Sequence, residues 1–319
     1  GPNVAESDPS ADGLITAFAI GAPGTTPPWP QARKNALHLG ADPSGGNPLP
    51  PWQCYQSTNP PAHPNPASSK GYWLLGVDGS VYALGGAPFY GSLPGLGIHT
   101  LTASIASSAS GHGYLVLGRD GGVFAFGDAG FHGSMGGARL NAPIIGMAAT
   151  PSGNGYWLLG RDGGVFSFGD AQFYGSMGGI PLNADVISLL PTPSGHGYWL
   201  LAADGGVFSF GDAHFYGSTG GMRLNAPVIS MAAHAGGGYW LLAKDGGVFS
   251  FGASFQGSVP GSGSCDTPTG MQIRPTLTGE GYFVAAADGE VFPFGDAQGK
   301  GDVYPKGIFD YVVDMALNR

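Results

Sequence analysis

Residues 162–176 read DGGVFSFGDAQFYGS. Nearly the same phrase stands at 120–134 (DGGVFAFGDAGFHGS) and at 204–218 (DGGVFSFGDAHFYGS). A companion phrase, GYW or a close variant, places its tyrosine at Tyr72, Tyr114, Tyr156, Tyr198, Tyr239 and Tyr282, in steps of 42, 42, 42, 41 and 43. A period of this size confines the chain to arrays in which each repeat is one supersecondary unit that buries its apolar faces against its neighbours. A catalytic constellation is needed once. A phrase written in every unit is structural, or else it makes several equal binding sites.

One unit can be taken apart. Residues 141–150 (NAPIIGMAAT) form an apolar run of small and β-branched residues, followed by a turn, PSGNG. GYWLLG at 155–160 reads as a second strand. Asp162-Gly163 signals a two-residue hairpin turn, since both residues tolerate positive φ. GVFSFG at 164–169 reads as a third strand with alternating Phe166 and Phe168. QFYGS at 172–176 reads as a short fourth strand, and Gly178-Gly179 opens the connection onward. Four antiparallel strands per unit of this length predict a β-propeller blade. The first strand, poor in bulk, belongs beside the crowded axis.

Six such units predict an all-β, six-bladed β-propeller over residues 71–319. The last stretch, YVVDMAL at 311–317, matches VISL at 186–189 and VISM at 228–231 as an innermost strand, and no second strand follows it. The GYW strand at Gly71 has no innermost strand before it. The C-terminal strand is therefore expected to complete the first blade and remove two open edges. Residues 1–70 are Pro-rich (TTPPWP at 25–30, NPPAHP at 59–64) and are expected to form an arm packed on the propeller. DGLITAF at 12–18 resembles a worn DGGVFSF strand, so a degenerate seventh blade is the alternative. The two cysteines, Cys54 and Cys265, have no metal-site spacing and are expected to form one disulfide that ties the arm to the insertion at 260–270.

The formal charge is −9, with 12 basic and 21 acidic residues and no basic cluster, which argues against nucleic acid. No apolar run approaches a membrane span. Low Lys content with abundant Gly, Ser, Thr and aromatic residues leans toward an extracellular or cell-surface setting.

Taken together, the units resemble a repeat common in secreted and cell-surface proteins of actinobacteria. The resemblance rests on GYW, DGGVFSFGDA, FYGS, GG and LNAP in residues 155–185; it covers 71–258 well and the sixth unit loosely. It implies a secreted β-propeller, often appended to wall-active or hydrolytic domains, with no activity attached to the repeat itself.

Candidate sites are few. The aspartates of GDA (Asp128, Asp170, Asp212, Asp296) are expected to cap backbone N–H groups in turns. Asn141, Asn183 and Asn225, at the start of innermost strands, could ring the mouth with Arg139 and Arg223; His99 stands at the same place in the second unit. Such a ring of amides and cations suits a polar ligand such as a glycan. Ser104, Gly146, Ser188 and Ser230 occupy one inner-strand position, where the later units carry Gln272 and Asp314. Arg274 replaces Ala148 and Ala232. Arg274 and Asp314 lie in neighbouring units, and pairing near the axis is expected because a lone buried charge is costly.

Glutamate occurs only at Glu6, Glu280 and Glu290, and no Ser-His-Asp set or metal-spaced His pair stands out. The reading is a non-catalytic extracellular binding platform without a cofactor, its ligand a glycan or the cell envelope. A protein partner or self-assembly through the arm, as a structural subunit of a surface or filament, is the second reading. A metal-dependent hydrolase or lactonase is the third.

Overall fold

The computed structural model describes residues 71–262, 272–302 and 311–318. The proposed arm, the seventh-blade candidate at 12–18, and both Cys54 and Cys265 lie outside the described residues. Eighteen strands are described. The first unit contributes β1 (Tyr72–Gly76) and β2 (Val81–Leu84), and the second β3 (Thr102–Ser107), β4 (Gly113–Gly118) and β5 (Val123–Gly127). The third holds β6 (Ile144–Ala149), β7 (Gly155–Gly160) and β8 (Val165–Gly169), and the fourth β9 (Val186–Pro191), β10 (Gly197–Ala202) and β11 (Val207–Gly211). The fifth holds β12 (Val228–Ala233), β13 (Tyr239–Ala243) and β14 (Val248–Phe251). β15 (Gln272–Pro275), β16 (Tyr282–Ala285) and β17 (Val291–Phe294) make the sixth, and β18 (Val312–Leu317) ends the chain.

These strands form six antiparallel three-stranded sheets. β18 joins the first sheet, in the order β18-β1-β2, with Tyr72 opposite Leu317 and Leu74 opposite Met315. The inner strands β3, β6, β9, β12, β15 and β18 each lie beside the next, and β18 lies beside β3. Backbone bonds at their N-terminal ends stitch one sheet to another: Val186 N–H donates to Arg161 C=O, Thr102 N–H to Val77 C=O, and Val312 N–H to Ala287 C=O.

Stacking of the sheets explains why the middle strands do not alternate. In β7, Tyr156 and Leu158 pack with Leu115, Leu117 and Ile144, whereas Trp157 and Leu159 pack with Val186, Tyr198 and Leu200. Both faces of the strand are buried against a neighbouring sheet, so GYWLLG is apolar throughout. The inner strands carry a bulge at the same place in five units, for example between Ile144 and Gly146. A bulge bends the strand and resets which side chains face the axis.

Two local expectations are corrected. The DG hairpin is longer than two residues: Gly163 N–H donates to Gly160 C=O at 2.9 Å and Gly160 N–H to Gly164 C=O at 2.8 Å. Gly163 takes a φ of 81°, and Asp162 Oδ1 accepts from Gly164 N–H at 3.0 Å. The positive-φ residue follows the turn rather than forming its centre.

The second correction concerns FYGS, which joins no ladder, so the sheets have three strands rather than four. Side chains hold it instead. Trp157 Nε1 donates to Gln172 C=O at 2.7 Å, and in the next unit the Tyr198 hydroxyl accepts from Tyr174 and Gly175 N–H, both at 3.1 Å, and donates to Gly175 C=O at 2.5 Å. The backbone polar groups that a fourth strand would pair are thereby satisfied by two buried aromatic residues on either side of a seam.

Candidate functional site

A cavity of about 590 Å³ lies among the inner strands and reaches the turns at their C-terminal ends, where Pro151, Thr192 and Leu277 line it. Its lining divides chemically. Along β6 and β9 it is mainly apolar, with Ile145, Met147, Ile187 and Leu189 beside Ser188; along β15 and β18 it presents Gln272, Arg274 and Asp314.

The structure brings Arg274 and Asp314 together in an ion pair from Arg274 Nη2 to Asp314 Oδ1. The pair belongs to a relay across four inner strands. Ser230 of β12 donates to Gln272 Oε1 at 2.9 Å, and Arg274 Nη1 lies 3.5 Å from that same oxygen. Arg274 Nε donates to Met315 C=O at 3.0 Å and its Nη1 to Ile273 C=O at 3.0 Å. Asp314 Oδ1 also accepts from Met315 N–H at 2.7 Å. Its Oδ2 accepts from Ser104 Oγ at 2.7 Å and Ile105 N–H at 3.0 Å, both in β3. The Asp314 side chain is 2% exposed and that of Arg274 27%. A carboxylate so buried persists because each oxygen has two donors and the cation is adjacent.

The residues singled out for the mouth lie where the chain enters the inner strands. His99, Arg139, Asn141, Asn183, Arg223 and Asn225 are all exposed, in turns before the inner strands, at the opposite end from the turns that line the cavity. None of them lines it. The GDA aspartates stand in turns, and their carboxylates are filled chiefly by side chains of the neighbouring turn. Asp170 accepts from Thr150 Oγ1 at 2.9 Å and Ser152 Oγ at 2.5 Å, and Asp212 from Thr192 and Ser194 at 2.8 and 2.5 Å. The hydroxyls of Ser110 and Ser194 hold the carboxyls of Asp128 and Asp212 below the usual range. Among the described residues, no three His, Cys, Asp or Glu converge as metal ligands.

One repeated feature escaped the sequence reading. Phe89, Phe131, Phe173, Phe215 and Phe255, the first aromatic residue of each FYGS-type segment, are between 52% and 60% exposed. Each sits at a seam. In four of them the preceding carbonyl (Pro88, Gln172, His214, Ser254) accepts from the tryptophan of its own unit. For Phe89, Phe131, Phe173 and Phe215 the following N–H is held by the tyrosine of the next unit, at 3.1 to 3.2 Å. The sixth unit has Gly299 in this place. Period-two alternation within the phrase was the available signal: where Tyr174 turns toward the seam, Phe173 turns out.

No protein-family model and no curated protein matches the chain. Among solved structures, it is similar to the β-propeller domain of Cps50 (Swd1) from Myceliophteria thermophila, at 13% identity over 79% of this chain and 87% of that one, with a TM-score of 0.49. It is also similar to a protein of unknown function from Bacteroides thetaiotaomicron, at 13% identity over 72% of this chain and 70% of that one, with a TM-score of 0.46. Sheets packed face to face around an axis, with small residues innermost, have the radial arrangement of a β-propeller. The fold is a β-propeller. Function must be argued from its surfaces.

Proposed function

We propose that this β-propeller has six blades, closed by β18 in the first, and works as a non-catalytic extracellular binding platform for a glycan polymer of the cell envelope. The observation that carries the reading is the set of five outward phenylalanines, one at each of five seams. Their neighbours diverge: the residue before Phe is Pro88, Gly130, Gln172, His214 or Ser254. The phenylalanine is kept while its exposed surroundings change, so copying of the repeat alone does not account for it. A large aromatic ring left in water at five equal places favours a partner with equally repeated apolar faces. The hydrogen-rich faces of sugar rings in a polymer are such a partner. Several weak contacts to one polymer act together through effective concentration.

The test is co-sedimentation with purified insoluble envelope polysaccharide. Phe131→Ser/Phe173→Ser/Phe215→Ser is expected to lower affinity at least tenfold, with circular dichroism and thermal unfolding unchanged. Retained affinity overturns the assignment. If Asn141→Ala/Asn183→Ala/Asn225→Ala abolishes binding instead, the ligand belongs to the amide-bearing end. Concentration-dependent self-association of the wild type that the phenylalanine variant loses would favour a structural assembly.

A further inference from the structure

We propose that the central cavity is a second, separate binding site, for a small carboxylate with an apolar body. At about 590 Å³ it falls in the range of small-molecule sites. Of the residues that line it, only Arg274 and Asp314 ionise. Asp314 is not free to meet a ligand: both oxygens are occupied by four donors from the protein, and the group is almost fully buried. Arg274 is different. Of its five N–H groups, Nε and one on each terminal nitrogen are bound to Met315, Ile273 and Asp314. The second N–H on Nη2 has no partner among the described residues, and the guanidinium is partly exposed where it lines the cavity.

Gln272 adds to this. Its Oε1 is taken by Ser230 and Arg274, which leaves the amide nitrogen as a donor beside the guanidinium. The polar arc therefore offers donors and one cation, and its acceptors are consumed internally. Across the axis the wall is mainly apolar, with Ile145, Met147, Ile187 and Leu189 around the single hydroxyl of Ser188. A planar guanidinium beside an amide N–H₂ suits the two oxygens of a carboxylate, and the low-dielectric wall opposite strengthens that contact. The apolar arc takes the remainder of the ligand. A neutral acceptor would use the same donors but forgo the charge.

The site shares no residue with the outward phenylalanines, so it stands or falls independently of the polymer reading. The experiment is isothermal titration of the full chain with octanoate and with octanamide. Octanoate is expected to bind and octanamide to bind at least tenfold more weakly. Gly146→Leu should weaken octanoate at least tenfold while unfolding temperature and circular dichroism stay unchanged, because Gly146 lines the cavity and a Cβ there meets only Leu159 at 3.8 Å. Ser188→Leu fills the same space from β9 and serves if the first variant does not fold. Equal affinity for acid and amide, no binding of either, or undiminished octanoate binding by the filled variants would each overturn the proposal.

Discussion

At the scale of single residues, the tyrosines of the repeat decide the seams. All six, from Tyr72 to Tyr282, are fully buried, and each donates its hydroxyl to a glycine carbonyl of the preceding unit. Tyr198→Phe removes that donor and strands two N–H groups, so a loss of about 1–3 kcal/mol in a urea titration is expected. Burial pushes the phenol pKa of Tyr72 and Tyr282 up to about 12, and raises those of Tyr114, Tyr156, Tyr198 and Tyr239 above the ordinary value of 10. A folded-state pKa above the unfolded one favours folding while the phenol is protonated. The contribution is therefore complete below about pH 10 and lost as pH rises through about 12. Urea midpoints measured between pH 8 and 12 should hold to about 10 and then fall. A constant midpoint would show that the phenols do not hold the seams.

At the scale of elements, the middle strand was legible and the fourth segment was not. GYWLLG is apolar at every position because it is buried on both faces, and a continuous run needs no partner identity to be read as a strand. FYGS has strand-like composition, but its backbone partners are the indole and phenol of two different units. Those contacts are not local in sequence, so no pattern within the phrase reports them. Gly175 marks the difference. Its φ is 136°, and an added Cβ would lie 2.5 Å from the Phe210 ring in the next sheet. Gly175→Ala should lose about 2 kcal/mol or more in thermal unfolding. Gly146→Ala, where the added carbon has room, should stay close to wild type. Similar losses at both sites would contradict the pinned-segment geometry. The GDA aspartates carry the same lesson: the phrase signals a turn, but the hydroxyls that fill the carboxylate come from the turn before the middle strand.

For the whole molecule, the relay from Ser230 through Gln272, Arg274 and Asp314 to Ser104 links four inner strands that share no sheet ladder. It spans the place where the C-terminal strand meets the start of the array. Arg274→Met leaves Asp314 buried without its cation, and a loss of about 3–5 kcal/mol is expected. Arg274→Met/Asp314→Asn removes the charge but keeps an acceptor for Ile105 and Ser104, and should recover a substantial part of that loss. If the double variant is no more stable than the single, the uncompensated charge is not the source of the effect. Removing β18 should be worse than either, because β1 loses its inner partner and the relay loses its carboxylate. Loss of strand signal in circular dichroism would check it.

The amino-acid sequence by itself determined the repeat and the three strands of each unit that pair in a sheet. These follow from periodicity and from the apolar content of short windows, which act over a few residues. It also marked Arg274 and Asp314 as departures from an otherwise small, uncharged series. Their pairing was expected from it; only the tertiary structure decided the further contacts with Ser230, Gln272 and Ser104, that the asparagines lie at the opposite end from the turns that line the cavity, and that five phenylalanines face outward at the seams. Each of those depends on which units become neighbours and on which end of a strand faces the cavity. Most of these placements are fixed by contacts between residues far apart in sequence, as between Ser104 and Asp314, which a local pattern does not encode.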